Sequence, residues 1–280
     1  MIGTACTVNR HAILARMSIP SDTLAGSGST YHANMDTADY AAHINTPAGR
    51  VDYYEQFHEP VLAHARELAG ARRPRMLDIA CSPGFELDFI PEDIEVFATD
   101  ISPDILPEVQ RRLGDRAMFF AADASNTALR PGFADAGMMV NAMIYVPGQM
   151  LWTMFNALQP GAQCAVNFRS FNNPNNAVFY DHYLERGGIL TEADLKVTDD
   201  VHLSVVGLDY RGCVTDDEPP KPDEKLQRLG TQTYLGSVGD MVTLVTASGF
   251  EIVSHEPYQF PSPVNPCNEV DVFILQKPAA

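Results

Sequence analysis

The chain has 280 residues, of which 45% are hydrophobic, so it is long enough to bury a full core. Its 36 acidic residues outnumber 19 basic ones, and the net charge of -17 excludes a nucleic-acid partner because a phosphate backbone would be repelled. The five scattered cysteines include no Cys-x-x-Cys pair, and no apolar stretch approaches the roughly 20 residues of a membrane helix. We therefore expect a cytoplasmic protein with reduced thiols, no metal site and no membrane attachment.

The first 70 residues precede the predicted sheet. Residues 1–30 are rich in Ser, Thr, Gly and Ala without helical period, which predicts a flexible tail. Residues 31–70 predict an N-terminal helical cap, with a short helix from Thr37 to His43 and a longer helix that ends at Leu68.

Residues 71–168 alternate strands and helices, as a parallel α/β sheet does. The predicted strands are 75–80, 95–100, 117–121, 137–145 and 163–168. One predicted helix follows the N-cap Ser102 and runs to Leu113, and another runs from Gln149 to Leu158. This order predicts an α/β, doubly wound, Rossmann-like sheet.

The alternation stops after the fifth strand. Residues 169–236 form a predicted inserted lid, since connections in compact domains rarely reach this length without a function of their own. The insert contains a predicted helix 176–186, a predicted strand 202–210 and an acidic, proline-rich loop 216–225. Residues 237–280 complete the core with a helix 239–248 and strands 250–256 and 269–276, which lie antiparallel if they pair. The predicted sheet therefore has seven strands, the last of them antiparallel.

The end of the first strand carries the residues most typical of a binding site. Asp78 is followed by small side chains in the segment LDIACSPGF, and a ligand approaches the backbone closely only where side chains are small. The helix expected after this loop would offer free N–H groups. The second strand ends at Asp100, where a carboxylate can accept both hydroxyls of a ribose. Together these features predict a nucleoside site at the carboxyl edge of the sheet.

A nicotinamide-dependent dehydrogenase would share this layout. Its fingerprint is Gly-x-Gly-x-x-Gly, and only Gly84 remains of that pattern here. The sequence favours a transferase.

The motifs resemble those of the class I S-adenosylmethionine-dependent methyltransferase family, over about residues 70–168 and 237–277. LDIACSPGF resembles the first motif of that family, ATDIS its acidic second motif, AADA its adenine contact and LQPGA the landmark before its fifth strand. The resemblance implies S-adenosylmethionine as the cofactor. The residues that it implies as cofactor contacts are Asp78 and Gly84 for the methionine moiety, Asp100 for the ribose, Ile101 for one adenine face, Ala122 and Asp123 for the adenine amino group, and Ala80, Ser82 and Asn141 nearby.

Two positions depart from the family pattern. Ala80 and Ser82 stand where the family commonly has glycine. Ser82 either narrows the pocket or donates a hydrogen bond to the cofactor.

Several polar side chains are candidates for the acceptor side. Asn141 interrupts an apolar predicted strand, so it is either a satisfied core amide or a group that faces the reacting end of the cofactor, and Tyr145 would share its face. Tyr180 and His182 lie on the predicted helix of the insert, where packing is the alternative to catalysis for Tyr180. His182 is the obvious general base near neutral pH.

The resemblance implies methyl transfer to a small molecule of specialised metabolism, which requires alignment more than a metal. The chain also resembles in layout the methyltransferase-like azetidine-2-carboxylate synthases, in which the amino group of S-adenosylmethionine attacks its own γ-carbon and methylthioadenosine leaves. Asn141, Tyr180 and Ser204 would serve that reaction. A regulator that binds the cofactor without chemistry is a third reading. The sequence leaves open whether the chain is a monomer or a homodimer.

Overall fold

The computed structural model describes residues 47–103, 106–124, 129–143, 147–185, 188–198, 201–209, 231–261 and 269–279. The predicted tail 1–30, the predicted helix from Thr37 to His43 and the acidic loop 216–225 lie outside the described residues. Within the described part, no helix combines the length and the apolar character that a membrane crossing requires.

In the described part of the chain, which begins at residue 47, three consecutive helical segments precede the sheet. They are α1 (Pro47–Tyr53), a π-helical turn (Tyr54–His58) and α2 (Glu59–Ala69). Helix α2 buries Val61, Leu62 and Ala65, whose spacing places them on one face. It ends at Ala69, next to the end predicted at Leu68, and is followed by the C-cap residue Gly70, which has a φ of 62°.

The described residues contain ten strands, which form two sheets. Their bounds are β1 (Arg75–Ile79), β2 (Glu95–Asp100), β3 (Ala117–Ala121), β4 (Ala134–Met139), β5 (Leu158–Phe168), β6 (Ile189–Thr198), β7 (Val201–Asp209), β8 (Thr231–Leu235), β9 (Glu251–Gln259) and β10 (Glu269–Gln276). The main sheet has seven strands in the order β3-β2-β1-β4-β5-β10-β9. Strands β1 to β5 are parallel, and β10 is antiparallel to both of its neighbours. The predicted fold class is confirmed.

Both faces of the main sheet are covered by apolar layers, which explains the nearly continuous apolar strands. The layer beneath α1 and α2 contains every second residue of the strands, such as Met76, Met138 and Val272. The opposite layer contains Leu77 and Phe273. That layer packs against helices α4 (Pro147–Ala157) and α6 (Val238–Ala247).

Strand β4 differs from its prediction over 137–145. It begins at Ala134 and ends at Met139, although the apolar run continues beyond it. Asn141 adopts a φ of 55°, which is incompatible with extended backbone, so the chain turns there. Asn141 therefore follows the strand instead of lying inside it.

The helix predicted directly after the glycine loop is present only as a short 3₁₀ helix. A five-residue 3₁₀ helix (Phe85–Phe89) occupies this connection, because only a short segment separates the loop from β2 and Pro91 interrupts it. Helix α3 (Leu106–Leu113) follows β2. The predicted N-cap Ser102 lies ahead of it, and the Ser102 hydroxyl has no hydrogen-bond partner among the described residues.

The insert contains helix α5 (Ala177–Glu185) and the antiparallel sheet β6-β7-β8. Strand β7 agrees with the prediction within one residue, whereas β6 and β8 were not predicted. The chain that leaves β5 is bonded to the end of β8, since the Phe171 N–H donates to the Leu235 carbonyl at 3.0 Å. The insert is thus built on the carboxyl end of β5.

Candidate functional site

The loop between β1 and the 3₁₀ helix has unusual backbone geometry. Ala80, Ser82 and Gly84 have φ values of 59°, 51° and 67°. Ala80, Ser82 and Asn141 are the non-glycine residues of positive φ among the described residues. Each such conformation costs an L-residue about 1–2 kcal/mol, and strain of this kind concentrates at functional sites. All three residues lie at the carboxyl edge of the main sheet.

Asp100 ties this loop to the end of β2. One oxygen of its carboxylate accepts the Ser82 N–H and the other accepts the Ser102 N–H, both at 2.9 Å. The residue is 4% exposed. A carboxylate offers about four acceptor positions, so both oxygens retain capacity for the hydroxyls of a ribose. Asp100 therefore holds the loop in place, which the sequence did not predict.

Two further carboxylates lie near Asp100. Asp78 is buried near the carboxyl end of β1, and burial raises its pKa well above the ordinary value. The negative charges of Glu86 and Asp100 raise the pKa of Asp78 further. A positively charged ligand group would favour the ionised carboxylate, so this cluster suits a cation.

The end of β3 lies beside Asp100. The Ala122 N–H donates to the Asp100 carbonyl at 2.8 Å, and Asp123 follows it as an exposed residue. Ile101 is half-buried immediately after Asp100. The structure thus brings the predicted ribose and adenine contacts to one edge of the sheet.

Asn141 contacts a residue that the sequence analysis missed. The Asn141 N–H donates to Oδ1 of Asn167 at 2.6 Å. Asn167 is fully buried on β5, and its Nδ2 has no hydrogen-bond partner among the described residues. Asn167 could have been found in the sequence, because it is a polar residue within an apolar strand, the same feature that indicated Asn141.

The helical segment before the sheet contributes two more buried polar groups. Tyr53 and His58 are each 2% exposed, and within the described ranges the Tyr53 hydroxyl and both His58 ring nitrogens have no hydrogen-bond partner. Burial lowers the pKa of His58 to about 4. His58 is the last residue of a π-helical turn. Such turns are rare in proteins, and those that occur are often found at functional sites.

The remaining candidates lie in or next to the insert. Tyr180 packs between Phe171 and Tyr234, at ring-centroid distances of 4.6 and 5.1 Å, and burial raises its pKa. Ser204 is exposed on β7, where its N–H donates to Asp240 Oδ1 at 2.9 Å.

Two other candidates cannot be placed against the site. His182 lies on α5, but its side chain is outside the described part, and Tyr145 is outside it entirely. The catalytic roles of Tyr180, Ser204, His182 and Tyr145 stay predictions. Among the described residues, no group of three or more His, Cys, Asp or Glu side chains is arranged to hold a metal.

No protein-family model matches the sequence, and no curated protein matches it either. Solved structures do match. A methyltransferase from Methanosarcina mazei, described as S-adenosylmethionine-dependent, has a TM-score of 0.54 and 16% identity, covering 76% of this chain and 97% of its own. A second from Clostridium acetobutylicum has a TM-score of 0.50 and 13% identity, with coverages of 81% and 92%. A protein from Pyrococcus horikoshii has a TM-score of 0.51 and 16% identity, and the match covers 84% of this chain and 93% of its own. This chain therefore has the Rossmann-like fold of the class I S-adenosylmethionine-dependent methyltransferases.

Proposed function

We propose that this protein is an enzyme that binds S-adenosylmethionine and transfers the methyl group to a small molecule of specialised metabolism. The observation that carries the proposal is the juxtaposition of Asp100 with the left-handed loop from Ala80 to Gly84. The descriptions of two structures with this fold as S-adenosylmethionine-dependent support it.

The carboxyl edge offers complementary groups for an adenosyl ligand. Asp100 would accept the ribose hydroxyls, while Ile101 and Asp123 would border the adenine. The small residues of the loop permit close approach to the backbone. Asp78 and its acidic neighbours would attract the positive charges of the ligand, and an ammonium group there would favour the ionised form of Asp78.

S-adenosylmethionine supplies an electrophilic methyl group. A lone pair of the acceptor forms the new bond to the methyl carbon as the sulfur–carbon bond breaks, and the bonding electrons remain on sulfur. The protein's task is to align the two reactants and to exclude water. Helix α1 and the insert border the same edge and would supply that cover. Asn141, Tyr145, Tyr180 and His182 are the proposed acceptor-side residues, with His182 as the base for the acceptor proton.

Product analysis tests the proposal. Purified protein is incubated with S-adenosylmethionine, alone and with a panel of small hydroxyl, amine and carbon nucleophiles. We expect S-adenosylhomocysteine to form only when an acceptor is present. Methylthioadenosine from the protein and S-adenosylmethionine alone would overturn methyl transfer and favour the azetidine-forming cyclase.

A variant of Asp100 links the product to this site. We expect Asp100→Asn to lower product formation at least tenfold, because the variant weakens both the ribose contact and the hold on the Ser82 N–H. Asp115 is a matched control, since it is an exposed acid on the 3₁₀ turn before β3, at the opposite edge of the sheet. Asp115→Asn should keep full activity. Equal losses in both variants would contradict the assignment.

A further inference from the structure

Two buried hydrogen-bonding groups at the site lack a protein partner. The Tyr53 hydroxyl and the Asn167 Nδ2 have no hydrogen-bond partner among the described residues. Tyr53 is only 2% exposed and Asn167 is 0% exposed. Proteins rarely leave such groups unsatisfied, because burying them without a partner costs free energy. A ligand that accepts hydrogen bonds would remove that cost.

Tyr53 and Asn167 lie in the same layer as the buried acids. Asp78 pairs with Met138 in register, and Met138 pairs with Ala165. Asn167 is two residues further along β5, so its side chain lies on the same face of the sheet as Asp78.

Tyr53 reaches this layer from the helical segment. Its ring belongs to the apolar cluster that also contains Met138 and Ala165. Burial is the largest cause and raises the pKa of Tyr53, the neighbouring Asn167 side chain lowers it by less, and the charge of Glu86 raises it. Tyr53 therefore stays protonated and can donate a hydrogen bond. Helix α1 thus brings a donor next to both the amide of Asn167 and the acidic cluster.

The two sets of groups are chemically complementary. Asp78 and Glu86 accept hydrogen bonds and attract positive charge, whereas Tyr53 and the Asn167 amide donate hydrogen bonds. A group that carries a cation and an anion a few bonds apart would satisfy both sets. An α-amino-acid zwitterion has this arrangement, with its ammonium for the carboxylates and its carboxylate for the donors.

From this juxtaposition, and resting on the proposed function, we infer that Tyr53 and Asn167 bind the carboxylate of the amino-acid moiety of S-adenosylmethionine. A positive charge on the same helix supports this assignment. The Arg50 guanidinium lies 5.2 Å from the ring centroid of Phe85, which follows the glycine loop. The Arg50 Nε is buried, and no described residue accepts its hydrogen.

The test compares two ligands that differ only in this carboxylate. Calorimetry measures the affinities of S-adenosylmethionine and of decarboxylated S-adenosylmethionine for the wild-type protein. We expect the wild type to prefer the intact ligand by at least tenfold, because hydrogen bonds to a charged group are strong. Tyr53→Phe should lower this preference about tenfold while leaving the affinity for the decarboxylated ligand unchanged. Asn167→Asp should also lower it, since it keeps the oxygen that accepts the Asn141 N–H but replaces the donor with a charge.

Tyr258 provides a matched control in the same aromatic cluster. Its hydroxyl lies 3.0 Å from the Gly49 carbonyl oxygen and 2.8 Å from Asp52 Oδ2, and its one hydrogen is donated to an acceptor within the protein, so Tyr258→Phe removes a structural hydrogen bond only. We expect the ligand preference of Tyr258→Phe to equal that of the wild type. Equal weakening of both ligands by Tyr53→Phe, or no change in either, overturns the carboxylate assignment. If neither ligand binds the wild type, the proposed function fails as well.

Discussion

At the scale of single residues, the structure buries a histidine without a hydrogen-bond partner. His58 is edge-on to Tyr53 at a ring-centroid distance of 5.1 Å, and no described residue bonds to its nitrogens. Because burial lowers its pKa from 6.5 to about 4, the imidazole is neutral in the folded protein over a range where the unfolded chain takes up a proton. The stability that depends on neutral His58 is present above pH 6.5 and is lost as the pH falls towards 4.

This linkage predicts a difference between the wild type and His58→Phe. Phenylalanine keeps an aromatic ring in the cluster but cannot be protonated. The unfolding free energy of the wild type, relative to that of the variant, should fall by about 3 kcal/mol between pH 7 and pH 4. Urea unfolding at a series of pH values measures this difference. A difference that stays constant over the range would contradict the burial of a neutral imidazole.

The sequence predicted some of the site residues and missed others for a physical reason. Asp78 and Asp100 follow apolar runs, and the ends of buried strands are recognisable from composition. The importance of Tyr53 and His58 depends on burial against β9 and the chain that follows it, about 200 residues later, as the contacts of Tyr53 with Tyr258 and Phe260 show. No local pattern encodes that burial.

At the scale of elements, strand bounds were predicted well where an apolar or alternating pattern begins and ends with the strand. β2, β3 and β10 have the predicted bounds, because apolar residues dominate or alternate within them. β4 was misplaced, since its apolar run extends beyond the turn at Asn141. β6 was missed because most of its described side chains are exposed and several are charged. Its extended form depends on pairing with β7.

The left-handed loop predicts a stabilising substitution. Ala80→Gly should leave the unfolding free energy unchanged or raise it by up to about 1 kcal/mol, because relief of the positive φ outweighs or balances the extra entropy of glycine in the unfolded chain. Chemical denaturation measures this effect. Ala122→Gly is the control. The φ of Ala122 is not positive, so this substitution should lower the unfolding free energy by roughly 0.5–1 kcal/mol. If Ala80→Gly lowers the unfolding free energy as much as Ala122→Gly does, the result would contradict the positive φ of Ala80.

At the scale of the whole molecule, the insert shares its core with the main sheet. Leu203 of β7 and Leu235 of β8 lie in the same buried cluster as Phe168 of β5 and Met241 of α6. An element that contributes to the main core cannot unfold without exposing that core. The insert is therefore expected to be part of the folded domain and not a separate unit.

A core substitution in the insert tests this coupling. Leu203 is fully buried, so Leu203→Ala should lower the unfolding free energy by about 2–5 kcal/mol and preserve one cooperative transition. Thermal unfolding followed by both circular dichroism and tryptophan fluorescence measures it. Ile189→Ala serves as the control. Because Ile189 is 64% exposed, this substitution should change the unfolding free energy little. A separate early transition in Leu203→Ala would show that the insert unfolds independently.

The central claim is that the carboxyl edge of the sheet binds an adenosyl ligand through Asp100. Titration calorimetry with S-adenosylhomocysteine tests it most directly, with NAD as the comparison ligand. We expect saturable binding at one site per chain, at least tenfold weaker binding in Asp100→Asn, and no binding of NAD. Absence of heat with S-adenosylhomocysteine at millimolar concentration, or equal binding of NAD, would contradict it.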